Sequence, residues 1–216
     1  MIKRYSNITL WLIGINIIFF LISIILISIY PQFIYSIALQ PSSFLHGKFW
    51  TIITSMFMHG DVSHLFMNMF SLIFLGSFLE RLIGSRRFLA IYFVSGIVAG
   101  IFFILFSFFP LNSVPGLGVS EKALAVGASG AIFGVAGMLA ILTPRMPIYV
   151  MFIPVAMPMW FGVILILLVF TLLSAFAGLP IGNSAHLGGL VAGVIYALYL
   201  KNKYKKKARI IAKFYS

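Results

Sequence analysis

Along the chain, long apolar runs alternate with short breaks made of charge, glycine or proline. A bilayer core about 30 Å thick needs roughly 20 mostly apolar helical residues to cross it. Six runs approach that length: residues 8–29, 62–79, 88–108, 126–142, 158–177 and 185–200. The pattern predicts an all-α, polytopic membrane protein with a bundle of six transmembrane helices. The first run is longer than the apolar region of a signal peptide, and no small-residue cleavage site follows it, so an uncleaved span is expected. No soluble domain, linker or long-period repeat interrupts the runs, which predicts a single membrane domain over residues 1–216.

Composition removes the alternative of a water-soluble globule. Hydrophobic residues make up 62% of the chain and charged ones 8%, too little polar surface to cover such a particle. The absence of cysteine excludes a disulfide framework, a thiolate nucleophile and sulfur-ligated zinc. With only three acids, Asp61, Glu80 and Glu121, paired-carboxylate catalysis and a carboxylate-rich metal site are both disfavoured. No metal, nucleotide or organic cofactor is implied.

The net charge of +12 gains meaning from its position. With six spans, Lys3, Arg4, Arg81, Arg86, Arg87, Arg145, Lys201, Lys203, Lys205, Lys206, Lys207, Arg209 and Lys213 share one side, and only Lys48 and Lys122 lie on the other. The positive-inside rule then predicts both termini in the cytoplasm, in a multi-pass protein of the cell (plasma) membrane. The basic tail over residues 201–216 reads as a topology signal and a contact with anionic lipid rather than as a nucleic-acid site.

The polar residues inside the runs are not scattered. Spans two, four and six all begin near the external leaflet, and there stand His64 and Asn68, Ser129 within Gly127-Ala128-Ser129-Gly130, and His186 within Ala185-His186-Leu187-Gly188-Gly189. Polar side chains inside a span usually face protein or a water-filled cavity. His64 and Asn68, four residues apart, share one helical face and can donate to one atom. Gly130, Gly134 and Gly137 on one helix, and Gly189 and Gly193 on another, form small-residue stripes that permit close backbone approach in lipid. Packing through these stripes would bring the Ser129 hydroxyl toward the His186 imidazole, as nucleophilic catalysis requires. Helix N-terminal dipoles there favour developing anions. Each residue alone has a plainer reading: an intramembrane serine commonly bonds a neighbouring carbonyl, and histidine or asparagine commonly joins helices.

Taken together, the motifs resemble the rhomboid family of intramembrane serine proteases. Gly127-Ala128-Ser129-Gly130 is similar to its GxSG motif, His64 with Asn68 to its HxxxN pair, and Ala185-His186 with Gly189 and Gly193 to its AHxxGxxxG motif. Gly76, Glu80 and Gly84 match its GxxxExxxG pattern. The resemblance runs over residues 8–200 and implies the basic six-helix form, with a short cytoplasmic N-terminus before it. It implies a Ser129–His186 dyad and an oxyanion hole built from the Ser129 backbone N–H, the Asn68 amide and the His64 imidazole. It further implies an aromatic, Phe133, packed on the imidazole, and a structural role for His59. One departure is clear: where the family carries a first-loop Trp-Arg pair, this chain has Trp50-Thr51, which questions how that loop is ordered.

A dyad rather than a triad agrees with the residues themselves, because no acid lies in the fourth or sixth span. Glu80, beside Arg81, reads as a structural tie at the opposite end. The implied reaction is hydrolysis of peptide bonds in or near transmembrane segments of membrane proteins, with those proteins and the bilayer as partners. The rival is a non-catalytic rhomboid-like protein that binds or escorts transmembrane clients; a small-solute channel fits less well, since the polar residues cluster at one leaflet.

Overall fold

The computed structural model describes residues 7–108, 110–150, 153–206 and 210. Lys3, Arg4, Lys207, Arg209 and Lys213 of the predicted charge pattern lie outside the described residues. The chain is an integral, multi-pass helical bundle. Among the described residues, five helices are long and apolar enough to cross a membrane: α1 (Ile8–Ile29), α2 (Val62–Ile83), α3 (Ser85–Leu105), α5 (Met159–Ala177) and α6 (Asn183–Lys203). The sixth apolar helix, α4 (Ser129–Leu142), has 14 residues. Its length of about 21 Å falls short of the bilayer core.

The shortness of α4 is explained by the backbone just before it. The predicted fourth run begins at residue 126, yet the helix starts only at Ser129. Gly127 adopts φ +116°, outside the helical range, and its N–H donates to the Ser55 carbonyl of the first loop at 2.8 Å instead of joining a helix. Eleven of the 14 residues of α4 are buried, so the helix is screened by protein and its start is recessed among its neighbours. By contrast α1 and α5 present mostly apolar, exposed side chains, which places them at the lipid-facing periphery.

Glycine lets α4 and α6 meet at backbone distance. A Cβ on Gly189 would overlap the Gly130 carbonyl oxygen, and one on Gly193 would overlap that of Gly134. The stripe on α4 also serves a second neighbour, because a Cβ on Gly134 would run into Ser95 of α3, and one on Gly130 would press on Ala99 at 2.5 Å. In lipid, where apolar surface gains little from leaving its surroundings, such close packing supplies much of the attraction between helices.

At the opposite end, the buried Glu80 carboxylate gathers three helix termini. It accepts the backbone N–H groups of Ile8 (3.0 Å) and Thr9 (2.9 Å), the Thr9 hydroxyl (2.7 Å) and the Ser85 hydroxyl (2.6 Å). The first turn of α1 has no side-chain cap of its own, so Glu80 occupies the orphan donors and places negative charge at the positive end of the helix dipole. Nearby, Arg87 donates to the Tyr204 hydroxyl at 3.0 Å and stacks over its ring, which joins the start of α3 to the end of α6.

The first loop is ordered without the arginine that the resemblance expects. Thr51 is fully buried and its hydroxyl donates to the Lys48 carbonyl at 2.6 Å. Trp50 Nε1 donates to the Ser36 carbonyl at 2.9 Å, and the Thr54 hydroxyl to that of Ile37 at 2.7 Å. A two-way backbone bridge between Leu39 and Ala125 fastens this loop to the segment that leads into α4.

Candidate functional site

Three helix starts and the first loop enclose the site. Ser129 opens α4 and is partly buried; His186 lies in the first turn of α6 and is buried. Ser129 Oγ and His186 Nε2 stand 2.8 Å apart, a hydrogen-bonding distance. The close passage of Gly130 against Gly189 produces this meeting, since these glycines lie one and three residues from the two side chains. The imidazole is held from its faces: Phe133, one turn beyond Ser129, stacks on it at 4.4 Å and 19°, and Phe170 of α5 leans on it at 5.9 Å. His186 Nδ1 is buried and has no hydrogen-bond partner among the described residues. The nearest first-loop acid, Asp61, is engaged elsewhere.

Asp61 caps α2. Its carboxylate accepts the His64 N–H at 2.8 Å, and the Ser63 hydroxyl, with that backbone bond, holds its pKa below the ordinary carboxylate range. The cap fixes where α2 begins and hence the height of His64. The His64 ring then lies against Gly127: a side chain there would come within 2.8 Å of His64 Nε2 and 3.8 Å of Ser129 Oγ. The missing Gly127 side chain thus lets the His64 imidazole close in beside the Ser129 hydroxyl. Gly127 answers two demands at once, a positive φ and an empty Cβ position.

Asn68, one turn below, is buried, and its amide nitrogen donates to the His64 carbonyl at 2.8 Å. That bond orients the amide and leaves its second N–H for another acceptor. The Ser129 N–H belongs to the first turn of α4, where backbone donors have no intrahelical acceptor. His59 is fully buried outside the spans, edge-on to Phe20 of α1 (6.3 Å) and to His64 (5.2 Å), and burial lowers its pKa to about 4. Among the described residues, no group of three or more His, Cys, Asp or Glu side chains could hold a metal ion.

A model of the Rhomboid domain family matches residues 46–203, which include all of these side chains except Phe20. The chain belongs to the rhomboid family. This rhomboid is 33% identical to the rhomboid protease GluP of Bacillus subtilis (strain 168), over 76% of its own length and 28% of that protein. It is 31% identical to the putative rhomboid protease YdcA of the same organism, over 75% of its length and 72% of that protein. It is also 31% identical to the Arabidopsis thaliana protein named Inactive RHOMBOID-like protein 8, over 67% of its length and 36% of that protein. The chain therefore spans well under half the length of several curated relatives that it matches. Membership supports intramembrane proteolysis as the chemistry of the family, while that last name shows that rhomboid-like chains without activity exist.

Two contributors to the site were not foreseen. Phe170 comes from an overwhelmingly apolar span, broken only by Thr171 and Ser174, in which its residue type does not mark it out. Asn183 donates its amide to the carbonyls of Gly116 (2.9 Å) and Phe170 (3.1 Å) just before His186, pinning the start of α6. An asparagine three residues ahead of a histidine at a predicted helix start was the available signal.

Proposed function

We propose that this rhomboid is a serine endopeptidase that hydrolyses peptide bonds in or near transmembrane segments through a Ser129–His186 dyad. The observation that carries the reading is the 2.8 Å approach of Ser129 Oγ to His186 Nε2 between the starts of α4 and α6. His186 Nε2 takes the hydroxyl proton as Oγ attacks the scissile carbonyl carbon. The developing oxyanion is met by the Ser129 N–H, the Asn68 amide and the His64 imidazole. Collapse of the tetrahedral intermediate expels the amine, which leaves with the proton held by His186. Water, deprotonated by the same imidazole, then hydrolyses the acyl-enzyme. Phe133 and Phe170 keep the ring in register through both steps. Gly127 lets the His64 ring lie close beside Ser129, Gly130 lets α4 pack against α3 and α6, and His59 has a structural role beside His64.

In this reading residues 1–216 form one membrane domain with its core at 8–200, the substrates are transmembrane proteins, and the protein resides in the cell membrane with its termini in the cytoplasm. The last point is supported by the basic residues that share the Arg87–Tyr204 end of the bundle. The non-catalytic alternative draws support from the relative named inactive.

A fluorophosphonate probe separates the two. It should label the purified protein at Ser129 and spare folded Ser129→Ala and His186→Ala variants, neither of which should cleave a transmembrane substrate. Cleavage retained by Ser129→Ala would remove the assignment, and a folded wild type that neither labels nor cleaves would favour the client-binding reading.

A further inference from the structure

Between α4 and α5 the chain turns at the same end of the bundle as Arg87 and the lysines that follow α6. Residues 146–158 of this turn contain no charged side chain, and the hydroxyl of Tyr149 is their one polar side-chain group. Connections that run through water are ordinarily polar. Here the outward side chains are apolar or aromatic instead: Tyr149 is 73% exposed, Val155 62% and Ile153 40%.

The turn is not a loose projection. Pro147–Ile148 (β1) pairs antiparallel with Met157–Pro158 (β2). Ile148 and Val150 fill the place that a side chain on Gly162 would take, at 2.5 and 3.1 Å from it, so the inner face of the hairpin is packed on the first turn of α5. The Met159 and Trp160 N–H groups donate to the Met146 (2.9 Å) and Pro144 (3.3 Å) carbonyls, which closes the base. The outward face continues into the lipid-facing surface of α5, where Trp160, Phe161 and Ile164 are exposed.

We propose that this hairpin is a membrane-interface anchor, with Tyr149, Ile153, Val155 and Trp160 seated at the headgroup–acyl boundary of the leaflet at that end. Its depth follows from the backbone. The 14-residue α4 is about 21 Å long and starts recessed, so the connection leaves it at the membrane boundary and not in bulk water. Unpaired backbone donors bar the hairpin from the hydrocarbon, but Pro144, Pro147, Pro154 and Pro158 carry no N–H and the β1–β2 pairing engages others. The hydrated interface accommodates those that remain. Tyr and Trp are the side chains that favour this layer, and Arg145 at the base suits its phosphates.

The natural chain has no cysteine, so single labels test the placement directly. Tyr149→Cys and Val155→Cys, each carrying an environment-sensitive nitrobenzoxadiazole dye, are reconstituted as the full chain in liposomes of zwitterionic and anionic phospholipid. Glu121→Cys in the opposite loop serves as the water reference and Leu172→Cys on the exposed face of α5 as the lipid reference. Both hairpin labels should emit at shorter wavelength than Glu121→Cys. Iodide present on both sides of the bilayer should quench them at least about fivefold less than that reference, while a shallow lipid-borne nitroxide quenches them strongly. Iodide quenching equal to that at Glu121→Cys for both sites would overturn the proposal. So would protection from iodide and nitroxide alike, which would mean that protein, such as a second copy of the chain, covers the face.

Discussion

Gly189→Leu removes no reacting atom and should nevertheless inactivate the protein. A Cβ at residue 189 would overlap the Gly130 carbonyl oxygen, a backbone atom that cannot turn aside as the tip of a flexible side chain could. Ordinary contact begins at 3.4 Å, so α4 and α6 must part by roughly 1 Å or more to admit even the first carbon of the leucine. The displacement falls between Ser129 and His186, because Gly130 follows the serine directly and Gly189 lies one turn after the histidine. Their 2.8 Å approach would open beyond hydrogen-bonding reach, and a misplacement of about 1 Å costs on the order of 100-fold in rate. Gly14→Leu supplies the control, since a Cβ there meets nothing within 4 Å. The assay is cleavage of a transmembrane substrate together with fluorophosphonate labelling, normalised to the folded fraction by melting in detergent. Gly189→Ala should fall between wild type and leucine. Normal cleavage by Gly189→Leu at matched folded fraction would refute the reasoning, because the route from helix packing to the Ser129–His186 approach would then not hold.

Asn68→Ala should lower kcat by about 10- to 1,000-fold with little change in KM, because an oxyanion donor acts on charge that exists only in the transition state; a raised KM at constant kcat would assign Asn68 to substrate or helix binding instead. Glu80→Ala strands the Ile8 and Thr9 N–H groups and should cost about 1–3 kcal/mol of stability, read as a lower melting temperature, with activity per folded molecule retained. His59 gives a pH signature. Its folded pKa of about 4 lies below the ordinary 6.5, so the unfolded chain binds the proton more readily. Stability should be full above about pH 6.5 and be lost progressively as pH falls toward 4, by up to about 3 kcal/mol, and His59→Phe should flatten that slope in melting curves taken across the range.

The membrane-embedded character of this protein was legible without any structure, because whether a segment partitions into lipid depends on its own composition and length. The runs over residues 8–29 and 158–177 and the helices α1 and α5 differ by at most one residue for this reason. Polar residues near helix starts were equally legible, since their cost in lipid makes them stand out: His64, Asn68, Ser129 and His186 were all visible as exceptions to the apolar runs.

What the tertiary structure decided is which face meets which, and that depends on contacts between segments far apart in sequence. The fourth run loses its first three residues to the Gly127–Ser55 bond, a contact 72 positions apart that no local pattern contains. Gly134 belongs to Ser95 of α3 as much as to α6, although the stripe alone suggested one partner. Glu80 was readable as a tie, but its partners at Ile8 and Thr9 became known only when α1 lay beside α2. Phe170 reached His186 from a span that is apolar on nearly every side because the rotation of a helix about its axis in lipid is set by packing, which composition alone does not encode.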